Sequence, residues 1–207
     1  MPSVYQLKTG FQNLLRPLVR RLAGAGVTAN AVTVLGVALS FATGLWLTLA
    51  PDRPGPYFAY PLMLFLRMAL NAIDGMLARE FGQKTRLGAF LNELGDVLSD
   101  LALYLPLAFV PGCIDLIAAL FVALAIATEV AGLVAPAAGA SRRYDGPMGK
   151  SDRAFVIGAF MLSGGIFAPV HAWLNSLLLV LCALCIATVA NRVRHGLNEA
   201  EPTPSHT

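Results

Sequence analysis

The sequence predicts an all-α membrane protein: six transmembrane helices preceded by an N-terminal amphipathic helix on the membrane surface. Three observations predict it. The chain of 207 residues is 57% hydrophobic and 13% charged, whereas a soluble domain carries about 25% charge. Its apolar residues fall in six stretches, each of roughly the 20 residues that cross a bilayer. Lys and Arg collect in alternate loops between those stretches, the pattern that orients membrane proteins.

The first element spans Val4 to Leu22. Val4, Leu7, Phe11, Leu14, Leu15, Leu18 and Leu22 recur at helical spacing, with Lys8, Arg16, Arg20 and Arg21 on the other face. Such a helix lies in the interfacial plane; the alternative is an ordinary helix docked on the protein. Pro17 is expected to kink it. The N-terminus lacks the apolar core of a signal peptide, so no cleavage is expected. The chain then divides into a juxtamembrane helix (1–27), a six-helix membrane domain (28–195) and a polar tail (196–207) expected to be disordered and cytoplasmic.

The six spans lie near 31–50, 57–78, 87–110, 113–135, 154–172 and 173–191. Breakers separate them: Pro51 to Pro56, Gly82, Pro111 with Gly112, and the loop Pro136 to Arg153. Only Pro169, His171 and Asn175 mark the last division. The N-terminal helix, the loop with Arg79, Lys84 and Arg86, the loop with Arg142, Arg143, Lys150 and Arg153, and the tail with Arg192 and Arg194 are basic. The loops between them carry only Arg53 or no Lys or Arg at all. This alternation requires an even number of crossings and puts both termini in the cytoplasm; the expected location is the plasma (inner) membrane of a bacterium. It also explains the net charge of +3 without a nucleic-acid partner. Cys182 and Cys185 form a C-x-x-C inside an apolar run, where a redox or zinc motif has no polar access, so they are read as packing residues.

A charge inside a span costs roughly 2.5–3.5 kcal/mol on insertion scales, yet the second and third spans carry Arg67, Asp74, Glu93, Asp96 and Asp100. Arg67, Asn71, Asp74 and Ala78 follow i, i+4, i+7, i+11 and share a narrow face. Gly88, Asn92, Asp96 and Asp100 are four apart and share another, with Glu93 at its flank. The short connection Glu80 to Thr85 predicts an antiparallel hairpin that sets the two faces together. Facing oxygen ligands suit a hard cation such as Mg²⁺ or Mn²⁺. The competing reading is a buried polar network that only locks helix packing.

Asp74-Gly75-x-x-Ala78-Arg79, eight residues, Gly88, three residues, Asn92, three residues, Asp96 resembles the signature of the CDP-alcohol phosphotransferase family, D-x-x-D-G-x-x-A-R-x8-G-x-x-x-D-x-x-x-D. Thr28 to Thr33 (T-A-N-A-V-T) is similar to that family's T-P-N-x-x-T. The resemblance implies a metal-dependent CDP-alcohol phosphatidyltransferase of phospholipid synthesis. Such an enzyme moves a substituted phosphate from a CDP-alcohol, such as CDP-diacylglycerol, to the hydroxyl of a second alcohol and releases CMP. It further implies roles. Asp74 would hold metal beside the pyrophosphate, Gly75, Ala78 and Gly88 would leave room for the nucleotide, Arg79 would contact phosphate, and Asp96 would take the acceptor's proton and touch metal. Families of this kind are often homodimers.

Two positions depart from the signature: its first and third aspartates are Asn71 and Asn92 here. An amide still offers a carbonyl oxygen but no charge, and two divalent ions on two carboxylates would be poorly neutralised. Glu93 or Asp100 would restore the charge, or the site holds fewer ions, or the chain is a non-catalytic CDP-lipid-binding or scaffold protein. Glu129, inside the fourth span, is expected to pair with Arg67. Lys150 and Arg153, in a segment resembling the family's basic stretch before the fifth span, are expected to hold a phosphate on the acceptor.

Overall fold

The computed structural model describes residues 4–200, and among them every regular element is helical. The elements are α1 (Val4–Gly24), α2 (Ala29–Leu49), α3 (Pro54–Glu80), α4 (Arg86–Tyr104), α5 (Asp115–Val134), α6 (Lys150–Ile166) and α7 (Leu174–Ala200). Short 3-10 turns follow α4 and α5 and precede α7. Each expected apolar stretch coincides with one of α2 to α7.

Local chemistry sets the boundaries. Thr28 Oγ1 accepts from Ala31 N (3.1 Å) at the start of α2. Thr85 Oγ1 accepts from Gly88 N (2.8 Å) at the start of α4. Side-chain oxygens of this kind satisfy amides that a helix start leaves without a partner. Pro54 occupies the first turn of α3, where its missing N–H costs nothing. At the start of α6, Asp152 Oδ2 accepts from Gly149 N (2.9 Å).

Four helical segments are long and apolar enough to cross a membrane: Ala29–Leu49, Pro54–Glu80, Asp115–Ala138 and Pro169–Ala200. The expectation of six is met in the number of helices but not in their apolar length. α4 carries Arg86, Glu93, Asp96 and Asp100, and α6 is only 17 residues long. Large apolar side chains nevertheless cover the outside of the bundle, among them Leu45, Phe65, Leu116, Phe155 and Ile186. Charged side chains lie within it: Arg67, Asp74, Asp100, Arg153 and Arg192 are buried. A protein with its apolar side outward and its charges inward has lipid as its solvent, and this is an integral membrane protein.

α2 packs against both α3 and α4, α3 against α6, and α5 against α7. The α2–α4 approach is close enough that a Cβ on Gly44 would collide with the Ala102 carbonyl oxygen. The two polar faces meet as expected, through Arg67–Asp100 and Asn71–Asp96, but the pair is not a tightly packed hairpin. α3 and α4 are joined by a short loop, but their backbones make little direct contact. α2 lies against both, and the long polar side chains of the two faces hold the gap between them.

The connections sort to two ends of the bundle. At one end Gln83 Oε1 accepts from Ala29 N (2.7 Å), Arg142 grips Glu93 of α4, and Arg143 and Ser141 reach Glu199 at the end of α7. At the other, Asn175 Oδ1 accepts from Ile114 N (2.8 Å) and Tyr57 stacks on His171 at 4.6 Å. The basic loops thus share one end.

α1 docks on α3 at this basic end. Val19 is buried with Ile73, Met76 and Leu77, and Arg16 Nη2 holds Glu80 Oε1 at 3.1 Å. Leu14 and Leu18 remain exposed, and the helix is continuous through Pro17. α7 runs to Ala200, so residues 196–200 are helical where disorder was expected. The helix gains Glu199 contacts with Ser141 and Arg143 that its own sequence does not announce. Residues 201–207 of the expected tail lie outside the described residues.

Candidate active site

The polar faces of α3 and α4 build two zones in series. The first is an open cavity of about 400 Å³ at the basic end. Asn30 and Thr33 of α2, Asp74 and Arg79 of α3, and Gly88 and Asn92 of α4 line it. Gly75 and Ala78 complete its α3 wall. Asp74 is 4% exposed, and Thr33 Oγ1 donates to its Oδ2 (2.7 Å), fixing the carboxylate at the cavity wall. Gly88 is required by packing: a Cβ there would lie 2.8 Å from Asn30 Oδ1 and 2.9 Å from Thr85 Oγ1.

The second zone is a closed lattice of ion pairs deeper in the bundle. Arg67 of α3 binds Asp100 Oδ1, and Arg153 Nη2 of α6 holds Asp100 Oδ2 at 2.8 Å. Arg153 also reaches Glu129 Oε1 at 2.9 Å and donates to Thr128 Oγ1 (2.7 Å). Arg153 is 0% exposed and Asp100 2%. Two cations and two carboxylates cancel, which is the condition under which buried charges are tolerated.

Asp96 lies between the zones. Its Oδ1 accepts from Asn71 Nδ2 (3.0 Å) and from Lys150 Nζ, and Arg67 Nη2 stands 3.6 Å from the same oxygen. Arg67 Nη2 also donates to the Asp96 backbone carbonyl (2.8 Å). Among the described residues, no hydrogen bond goes to Asp96 Oδ2.

Of the residues singled out from sequence, Asp74, Gly75, Ala78, Arg79, Gly88 and Asn92 share one cavity, with Asn71 and Asp96 just beyond it. Others are placed differently from the expectation. Asp100, expected as a substitute ion ligand, has both oxygens engaged by arginines, and Glu93, expected in the same role, is paired with Arg142. Glu129 pairs with Arg153 rather than with Arg67, because Asp96 and Asp100 lie nearer to Arg67. Lys150 and Arg153, expected at a phosphate on the acceptor, are both engaged by carboxylates, and Arg153 is sealed inside the bundle.

Sequence reasoning missed Thr33 as the partner of Asp74, although it ends the T-A-N-A-V-T segment. It missed Gln83, which also donates to the Val27 carbonyl (3.3 Å) and ties the α3–α4 loop to α2. It counted Arg192 only as loop charge. Arg192 is buried, its Nε donating to the Asp145 carbonyl (3.1 Å) and its Nη1 to the Thr128 carbonyl. No local pattern marks that role. Outside the bundle, Arg143 bonds the Asp145 carboxyl and holds it well down, at about 2.

Taken together, the fold and site define a helical membrane protein with a polar cavity opening between three helices and walled by one buried carboxylate. The family model for CDP-alcohol phosphatidyltransferase matches residues 26–190, a range that contains the whole site, and the chain belongs to this family. It is 47% identical to the Inner membrane protein YnbA of Escherichia coli over 195 residues, covering 94% of this chain and 96% of that one. It is 30% identical to the phosphatidylinositol phosphate synthase of Mycobacteroides abscessus over 190 residues, covering 88% and 83%. The fold matches the crystal structure of the Mycobacterium tuberculosis phosphatidylinositol phosphate synthase with CDP-DAG bound: the TM-score is 0.72 at 24% identity over 91% of this chain and 94% of that one. The same enzyme in complex with manganese and citrate matches with a TM-score of 0.73 at 23% identity, over 91% and 92%.

Proposed function

We propose that this chain transfers a phosphatidyl-type group from a CDP-alcohol such as CDP-diacylglycerol to the hydroxyl of a second alcohol, with release of CMP, in phospholipid synthesis. The observation that carries the reading is that the D-G-x-x-A-R and Gly88 positions wall one cavity together with Asn92, and Asp96 lies one turn further along the same face of α4. The similarity to phosphatidylinositol phosphate synthases supports it.

The CDP head enters the cavity between Asn30, Arg79 and Gly88, with Arg79 set against its phosphates. The acceptor hydroxyl approaches Asp96. Its oxygen forms the new bond to the phosphorus that bears the lipid alcohol, and the bond from that phosphorus to CMP breaks. Asp96 Oδ2 takes the proton, while Asn71 and Lys150 hold Oδ1 and fix the carboxylate in place. A divalent ion, Mg²⁺ or Mn²⁺, fits at Asp74 with amide oxygens from Asn71 or Asn92, and would neutralise pyrophosphate charge there. The cavity wall offers one carboxylate, Asp74, beside the amides of Asn30 and Asn92, a donor set that suits one ion rather than two.

The chain is read as crossing the membrane six times, with the basic end of the bundle and both termini in the cytoplasm, since the loops gathered there hold most of the loop Lys and Arg. The cavity then opens to water on the side where a CDP-lipid presents its head. Asn71 and Asn92 support a second reading, in which the chain binds a CDP-lipid without turning it over.

The test is CMP release. The purified full chain in vesicles is given labelled CDP-diacylglycerol, Mg²⁺ or Mn²⁺, and a panel of alcohols. Release that depends on one acceptor establishes transfer. Binding of the donor with no CMP from any acceptor establishes the second reading.

A further inference from the structure

We infer that Lys150 takes the place of one divalent cation, so that this chain works with a single ion recruited together with the donor's pyrophosphate. The inference rests on the function proposed above. It starts from a disagreement between the signature and the structure: four aspartates could neutralise two divalent ions, whereas two, Asp74 and Asp96, remain in the corresponding positions.

The geometry at Asp96 says what replaced the lost partner. A carboxylate at position 71 would set two anions against each other beside Asp96, tolerable only with a cation between them. The Asn71 amide instead donates directly to Asp96 Oδ1 at 3.0 Å, an orientation fixed by chemistry, since only the amide nitrogen can donate to a carboxylate. The Lys150 ammonium is bound to the same oxygen, and Arg67 Nη2 stands 3.6 Å away. Oδ1 is therefore surrounded by donors from α3 and α6, in the place where an ion would need a vacant lone pair. Lys150 is available for this because it opens α6, one turn before Arg153, whose lock on Asp100 and Glu129 anchors that helix start.

Charge arithmetic leads to the same place. Asp74 and Asp96 are balanced by Lys150 and Arg79, while Arg67, Arg153, Asp100 and Glu129 cancel. A site with no net negative charge holds a divalent ion weakly in the empty cavity. The pyrophosphate of the donor adds negative charge beside Asp74, and ion and donor then stabilise each other. Lys150 supplies, next to the acceptor's approach, the second positive centre that phosphoryl-type transfer requires.

Counting bound Mn²⁺ on the purified full chain by equilibrium dialysis or electron paramagnetic resonance, with and without CDP-diacylglycerol, tests this independently of turnover. The expected result is about one Mn²⁺ per chain with the donor and an affinity at least about tenfold lower without it. Lys150→Met bares Asp96 and is expected to raise donor-free Mn²⁺ affinity about tenfold or more; Lys150→Arg keeps the cation and the wild-type count. The triple variant Asn71→Asp, Asn92→Asp, Lys150→Met is expected to bind about two ions, and circular dichroism establishes that each variant is folded. Two Mn²⁺ in the wild type, or a folded Lys150→Met that binds Mn²⁺ no better than wild type, overturns the inference while leaving transfer intact. Should Lys150→Met fail to fold, the wild-type count and Lys150→Arg decide. Failure of the wild type to bind CDP-diacylglycerol under any condition overturns the function reading itself, and this inference with it.

Discussion

The cavity around Asp74 and the ion lattice around Asp100 are built on the same two helices, one to two turns apart, yet they are opposite in kind. In the cavity a buried carboxylate has a single short contact from Thr33, glycines hold space open, and amides and a guanidinium border it. In the lattice Asp100 is met by two arginines and Glu129 by one, and the charges sum to zero. Identical residue types therefore divide into work and support according to whether their partners lie inside the protein. Asp96 marks the boundary, with one oxygen bound and the other without a hydrogen bond among the described residues.

The comparison breaks first if the lattice is not structural. Arg153→Ala leaves Asp100 and Glu129 short of a buried partner, and removing one member of such a set costs about 3–5 kcal/mol. The thermal midpoint of the detergent-solubilised chain should collapse, with folded yield falling alongside it. A normal melt would make the lattice ornamental and move Arg153 back toward ligand binding.

The next effect falls at the boundary. Asp96→Asn keeps size and removes the proton acceptor, so CMP release should fall by about 10²–10⁴-fold with little change in thermal midpoint. Near-normal turnover would remove Asp96 from its assigned role. A smaller effect is expected at the cavity wall. Gly88→Ala pushes Asn30 and Thr85 aside, at about 1–3 kcal/mol for overpacking. Measured donor KM should rise, with acceptor KM unchanged.

The smallest effect is at the surface and depends on pH. Arg143 holds Asp145 at about 2, against about 3.9 for a free aspartate. A carboxylate lowered on folding stabilises above its unfolded pKa and loses that contribution as pH falls through the folded one. Thermal midpoints of wild type and Asp145→Asn should differ by a small amount at neutral pH and converge between about pH 4 and 2, with turnover barely affected.

Much of this contrast was legible in the sequence. Apolar runs and breakers located α2 to α7, because lipid demands apolar stretches and Gly, Pro and capping threonines end them, and amphipathic spacing located α1. The four-residue spacing from Gly88 to Asp100 and the stripe from Arg67 to Ala78 set the correct side chains on facing surfaces, because helical periodicity is local. Partnership was not local. Whether Arg67 meets Glu129 or Asp100 depends on how α5 and α6 close around α3, and Arg153 won Glu129 by lying on α6. The α3–α4 loop is short enough to suggest a hairpin, but α2 packs on both helices, and no spacing within 57–110 reveals a third helix arriving from upstream. Arg192 looked like loop charge because its partners, Thr128 and Asp145, are far away in sequence. The last turn of α7 forms because Ser141 and Arg143 capture Glu199, a contact across 56 residues or more.

The central claim is that ligand chemistry resides in the open cavity and structural support in the closed lattice. The measurement that tests it most directly is the Mn²⁺-dependent binding of CDP-diacylglycerol to the full chain in nanodiscs, compared between wild type and Asp74→Asn, with thermal midpoints taken on the same samples. The account predicts that Asp74→Asn loses Mn²⁺-dependent donor binding and keeps its thermal midpoint. Donor binding that survives Asp74→Asn with unchanged Mn²⁺ dependence, in a chain that melts normally, would contradict it.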